Sequence, residues 1–200
     1  MTGKRGPLAR RSACAVSVLL GAALTGACGQ SSGPFTAFDD RGSAADVESV
    51  RSGLPSLIER EDNVGRVVVD DAGAVTAALN LSAADSDRRR TELEAVAVPK
   101  RAAVDLPLIE SGIADMVTNP ETRAAFAYTA ARFQVAQFLG IDADDQSAHA
   151  LVSGSECYTH FDATESCSAP ARFRVELVRA PSGEWLIASK QSRLDPGTGP

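Results

Sequence analysis

The sequence predicts an α+β fold, with N-terminal helices packed on a C-terminal antiparallel sheet after a cleaved leader. Three observations carry that expectation. Helix-start signals stand in the first two thirds of the chain, at Ser43-Ala-Ala-Asp46 and at Asn119-Pro120-Glu121. The last third alternates, with Phe173, Val175 and Leu177 on one face of the run from Ala171 to Arg179. The chain of 200 residues is 44% apolar and 23% charged, which suits one ordinary domain plus a tail and excludes disorder throughout.

The first element is a secretion leader. Lys4, Arg5, Arg10 and Arg11 form a basic segment, Ala13 to Ala23 an apolar run, and small residues lead on to Cys28. The apolar run is short for a transmembrane helix, and no other stretch spans a bilayer. Residues 1–27 therefore read as a signal peptide. Leu24-Thr25-Gly26-Ala27-Cys28 resembles the bacterial lipobox, with Thr25 where that pattern prefers Leu. The resemblance implies cleavage before Cys28, lipidation of its sulfur, and anchoring at the extracytoplasmic face of the bacterial cell membrane. Each buried CH₂ contributes about 0.8 kcal/mol, so two or more chains hold where one exchanges.

Cleavage removes four basic residues and no acidic ones, leaving 16 basic against 26 acidic and a formal −10. Such a domain is repelled by an anionic leaflet, so a spacer is expected. Residues 28–42 have the Gly/Ser/Pro composition of a flexible tether. Residues 43–194 remain for a single α+β domain, and 195–200 read as a disordered tail. The full chain carries −6 with no stripe of Lys and Arg, which argues against a nucleic-acid partner.

Within the domain, Ser43 opens a helix with Val47, Val50 and Leu54 on one face. Pro55 is expected to interrupt or end it, with Leu57 and Ile58 continuing the apolar surface. Gly65 to Leu79 carries a β-branched run, an Asp71-Ala-Gly73 turn and a second apolar run, which reads as a hairpin. A helix competes for its Ala-rich second half. Asp85 to Arg90 reads as a solvated charged stretch, and Thr91 to Val98 as a short helix stopped by Pro99. Another helix covers about Pro107 to Val117. From Asn119 a long helix is expected through Phe126, Tyr128, Phe133, Val135 and Phe138 to Gly140. Ala148 to Ser153 reads as a strand. Ala171 to Arg179, the turn Ala180-Pro-Ser-Gly183, and Glu184 to Ser189 form a hairpin, with Trp185 and Ile187 on one face.

Of the cysteines, Cys14 leaves with the signal peptide and Cys28 takes the lipid. Cys157 and Cys167 remain, an even pair in an exported domain, and read as a disulfide. Closing their loop stabilises by roughly 2–3 kcal/mol. The C-x-x-H spacing of Cys157-Tyr-Thr-His160 invites zinc, but no fourth ligand is evident, and no metal is expected.

Helices followed by a meander, an alternating strand, a short turn and a Gly-x-Trp-x-Ile strand resemble the NTF2-like superfamily, a cystatin-like α+β fold. Phe173 to Ser189 in particular resembles the last hairpin of small exported actinobacterial proteins, Mce-associated proteins and lipoproteins among them. The resemblance implies a curved sheet wrapped on a long helix, with a pocket between them. By that resemblance Tyr128, Phe133, Phe173 and Trp185 line the pocket. The other reading is that these aromatics fill the core.

Little in the sequence carries chemistry. Asp142-x-Asp144-Asp145 fails as a calcium loop, because Ser147 stands where Gly is needed and Ser153 where Glu is needed. It reads as a solvated acidic loop. His160 lies near Asp162 and Glu165, a candidate acid/base pair; the alternative is a loop inside a disulfide-closed turn. No nucleophile elbow, zinc-protease, P-loop or dinucleotide motif occurs, and the Ser-rich ends lack a paired His. No catalytic residue and no cofactor is therefore expected. The expected function is that of a non-enzymatic binding or accessory protein of the cell envelope, taking a protein partner or an apolar ligand. The alternative is an NTF2-like pocket enzyme working on a small molecule by acid/base chemistry. A shifted carboxylate or His at the base of a pocket favours the enzyme, and a filled core opposes both pocket readings.

Overall fold

In the computed structural model, which describes residues 33–194, the chain runs as helices and then as sheet. The expected signal peptide, the expected lipidation site at Cys28 and the expected tail 195–200 lie outside the described residues. Ala44–Asp62 forms α1, capped as its sequence demands: Ser43 Oγ accepts from Asp46 N at 3.1 Å. Val47, Val50, Leu54, Leu57 and Ile58 are buried along it. Pro55 stays inside the helix instead of interrupting it. The apolar stripe continues on both sides of the proline, and burying it outweighs the roughly 3 kcal/mol that an interior Pro costs.

After a 3₁₀ turn at Asn63–Gly65, the hairpin expected over 65–79 shrinks to one antiparallel bridge, Val69 to Val75. Asn80 accounts for the difference. Its buried amide accepts from Val68 N at 2.7 Å and donates to Val68 O at 2.8 Å, doing what a paired strand would otherwise do. The Ala-rich second half becomes a short helix, α2 (Ala77–Asn80).

Ala83–Glu94 forms α3, so the charged stretch 85–90 is helix interior. Ser82 caps it, and Arg88 pairs with Glu92 one turn on at 2.9 Å. Pro99 does not stop this helix. It occupies the first turn of α4 (Pro99–Thr118), where its missing N–H removes no helical bond.

Asn119 then caps α5 (Pro120–Phe126), accepting from Glu121 N at 2.9 Å. The long helix expected to reach Gly140 ends here. Residues Tyr128–Ala143 form a strand instead, β2. Ala131 and Phe133 are buried while Ala130, Arg132 and Gln134 are exposed, the period of a strand. Register shifts between Val135 and Gln137 and between Phe138 and Gly140 break that period, and the broken pattern imitates a helix.

The sheet completes the domain. A short β1 (Arg41–Gly42) runs parallel to β2, and β3 (Ser147–His160) pairs antiparallel with β2. The far edge of β3 is shared: β5 (Ala171–Arg179) takes its first half and β4 (Glu165–Cys167) its second. The hairpin partner β6 (Trp185–Leu194) closes the order β1-β2-β3-β5-β6. This is an α+β fold with helices packed on a mixed, mostly antiparallel sheet. The core lies between α1 and the sheet, where Phe133 meets Phe173 edge to face at 5.0 Å.

Residues 33–42, read as part of a tether, lie against the sheet. Phe38 N donates to Leu139 O at 2.9 Å, Asp40 accepts from Ile141 N at 2.9 Å, and Arg172 reaches Phe35 O at 3.0 Å. Gly140 permits this contact: its φ is +151°, and a Cβ there would stand 2.5 Å from Phe38 O.

Candidate functional site

The sheet extends past α1 at the end where β2 begins and β3 finishes. There α4 and α5 face the strand ends across an open cleft of about 690 Å³. One wall is apolar by helical spacing: Ile109, Ile113 and Met116 recur along α4, and Ala125 and Phe126 continue it on α5. Phe126 is 67% exposed at the rim. The opposite wall is the sheet end, carrying Tyr128, Tyr158, His160 and Ser166, with Asp62 between the walls.

The polar groups of the sheet wall have partners, while Asp115 and Thr122 add polar side chains to the helical wall. Tyr128 Oη donates to Asp62 O at 2.6 Å, and its ring lies 4.9 Å from Tyr158. Gly65 is needed for this approach, since a Cβ would come within 2.7 Å of the Tyr128 hydroxyl. His160 Nδ1 donates to Ala127 O at 3.1 Å, because a carbonyl can only accept. Its Nε2 lies 2.7 Å from Ser166 Oγ.

Behind the cleft sits a buried charge cluster. Lys190 Nζ lies 3.1 Å from Glu61, 2.5 Å from Asp62 and 3.4 Å from Glu156. Arg101 reaches Glu61 from the other side at 2.5 Å. Three carboxylates thus crowd one ammonium. Burial pushes the Asp62 carboxyl up to about 6, and the nearby Lys190 only partly offsets it. Burial alone would lower Lys190, but the surrounding Asp62 and Glu61 charges outweigh it and hold the ammonium above its usual range. Burial, then the neighbouring acids, raises the Tyr128 and Tyr158 phenols. A smaller cleft of about 330 Å³ adjoins the first and reaches Glu61, Arg101 and Lys190.

The aromatics expected around a pocket separate. Tyr128 lines the cleft. Phe133 and Phe173 are core, 5% and 2% exposed. Trp185 lies over α1 in a different groove, donating to Ser49 Oγ at 3.2 Å with the Arg179 guanidinium 4.3 Å from its ring. His160 does not pair with Asp162 or Glu165. Asp162 accepts from Thr164, and Glu165 pairs with Arg132 at 2.7 Å. Cys157 and Cys167 form the disulfide across β3 and β4, with Cα atoms 4.0 Å apart. Their sulfurs are joined, so the neighbouring Glu165 has no thiolates with which to hold a metal. Asp144 caps its own turn, accepting from Gln146 N at 2.8 Å and Ser147 N at 2.6 Å, and these bonds hold its carboxyl below the usual range.

Two groups escaped the sequence reading. Asp62 looks like any helix-end acid until Lys190 is folded onto it. The pairing of Ser166 with His160 needs the β3–β4 turn, although the cystine already placed both residues in one closed loop.

No family model matches this chain, and no curated protein matches it. Among solved structures it is similar to a protein from Catenulispora acidiphila, 16% identical, over 77% of this chain and 92% of that one, with a TM-score of 0.36. It is also similar to an NTF2-like protein with a cystatin-like fold from Novosphingobium aromaticivorans, 14% identical, over 76% of this chain and 84% of that one, with a TM-score of 0.36. Neither likeness brings a ligand or an activity to this chain, and its α+β architecture rests on its own strand order.

Proposed function

We propose that this chain is a lipid-anchored binding protein of the extracytoplasmic face of the bacterial cell membrane, whose domain takes an apolar small molecule into the α4–α5 cleft. The observation that carries the reading is the cleft itself: about 690 Å³, with an apolar helical wall and an exposed Phe126 at its rim. Polar groups on the facing wall are already bonded, so an apolar guest leaves none of those bonds broken. The leader sequence supports the anchor at Cys28, and the Cys157–Cys167 disulfide suits an oxidising compartment. Among the described residues no helix is long and apolar enough to cross a membrane.

The test is titration with a neutral solvatochromic dye, Nile red, of the wild type and of Gly112→Phe. Gly112 lines the cleft within α4, and a Cβ there meets nothing within 4 Å. The phenyl ring narrows the cleft while the helix gains propensity over glycine, so dye binding weakens and the fold is kept. Equal dye binding by both proteins refutes the reading. For the anchor, Cys28→Ser moves the protein from the membrane to the soluble fraction; a variant that still sediments with membranes refutes it.

A second reading, acid/base turnover of a small molecule in an NTF2-like pocket, is favoured by one observation. Asp62 stands between the cleft walls with its carboxyl pushed up to about 6, in the range where a carboxylate exchanges protons near neutrality.

A further inference from the structure

The pairing of Ser166 with His160 is unused by the binding reading. Ser166 is exposed on β4, and His160 is half-buried at the end of β3. Both line the cleft. Three separate features fix their geometry. The disulfide pins β4 to β3 one residue beyond Ser166. The β3–β4 turn closes through His160 N to Thr164 O at 2.7 Å. The Ala127 carbonyl takes the Nδ1 proton at 3.1 Å, so in the neutral ring Nε2 carries the lone pair, aimed at Ser166 Oγ 2.7 Å away. A hydroxyl, an imidazole and a group that orients the imidazole are thus in contact, with a backbone carbonyl where a carboxylate often stands in nucleophile–base pairs.

We propose that Ser166 and His160 are a nucleophile–base pair that cleaves an ester carrying an apolar chain, with the chain lying along the α4 wall. This rests on the cleft as the place where apolar groups bind. Ser166 Oγ attacks the carbonyl carbon, and its proton passes to His160 Nε2. The ester C–O bond then breaks, and the alcohol leaves with that proton. Water repeats the sequence on the acyl-serine, its proton going to Nε2 and then back to Ser166, and the carboxylic acid is released. The open rim supplies the water. Ile109, Ala125 and Phe126, the accessible apolar side chains of that wall, select substrates by the apolar length they bury, at about 0.8 kcal/mol per CH₂.

The test uses the full chain with an alkyl fluorophosphonate, which loses fluoride as the serine oxygen bonds to phosphorus, and with 4-nitrophenyl hexanoate and acetate. The expected result is a single adduct on Ser166, absent from Ser166→Ala and formed about 100-fold more slowly by His160→Gln, with hexanoate cleaved faster than acetate. Ser166→Ala removes one hydroxyl from an exposed edge and leaves the core untouched. If His160→Gln fails to fold, the adduct and its absence from Ser166→Ala still test the nucleophile, and Gly112→Phe, which narrows the cleft, tests the apolar wall through a loss of the preference for hexanoate. Nile red is titrated alongside. Dye binding without an adduct, or an adduct whose rate His160→Gln leaves unchanged, overturns the inference and spares the binding reading. An adduct without dye binding or chain-length preference overturns the apolar substrate and the binding reading together.

Discussion

Acidification from pH 7 to pH 5 should stabilise this protein through Asp62, against the usual direction for a carboxylate. The Asp62 side chain is buried beside Lys190, with Glu61, Glu156 and the Tyr128 ring around it, and its carboxyl rises from 3.8 to about 6. The folded chain therefore holds a proton that the unfolded chain has released. The resulting stability is fully present below the ordinary carboxylate value and is lost as pH rises through about 6. A rise of about two units corresponds to about 3 kcal/mol at the acid limit. Between pH 7 and pH 5 only part of that is gained, about 1 kcal/mol from the two titration curves. The assay is urea unfolding of the mature chain at both pH values, for the wild type and for Asp62→Asn. Asn keeps the shape and cannot titrate, and titrating groups outside the Lys190 cluster cancel in the difference. The wild type should gain about 1 kcal/mol more than the variant. If the two proteins respond equally, Asp62 is not the proton acceptor that its burial implies.

Three further outcomes follow from the packing, each read by chemical unfolding. Phe173→Ala removes a 2% exposed ring from its edge-to-face partner Phe133 and should cost about 3–5 kcal/mol. Gly140→Ala forces a side chain onto a φ of +151° and against Phe38 O, and should cost roughly 1–3 kcal/mol. The same variant should expose residues 33–42 to protease, since that segment loses its bond to Leu139. Replacing Cys157 and Cys167 together by Ser should cost roughly 2–3 kcal/mol, and reduction of the native disulfide should match it.

The fold was legible where local chemistry decides it. The Ser43 and Asn119 caps, the buried face of α1, and the alternation of Phe173, Val175 and Leu177 need no distant partner. It was illegible where a distant partner decides. Residues 128–143 contain enough Ala, Gln and Leu to be helical, and only pairing with β3 along almost the whole strand makes them a strand. Phe38 and Asp40 look like tether residues until Leu139 and Ile141 accept and donate to them. Pro99 stops one helix in a sequence reading and starts the next in the fold, since the same missing N–H suits both.

The candidate site depends on that one misread strand. With 126–140 helical, Tyr128 stands in mid-helix, about one and a half turns from Phe133 and with no strand end beside it. As a strand, the two part: Phe133 enters the core, while Tyr128, at the strand's start, reaches Asp62 O and the cleft. The same change brings Ala127 to the end of β3, where its carbonyl can take the His160 Nδ1 proton. Ser166 then follows from the disulfide, because Cys157 opposite Cys167 puts Tyr158 opposite Ser166 and turns His160 back toward it. A sequence search for Ser and His at fixed spacing misses this arrangement, because the spacing here is a turn length. What holds the pair is a cystine and a backbone carbonyl, and neither leaves a recognisable motif around the serine.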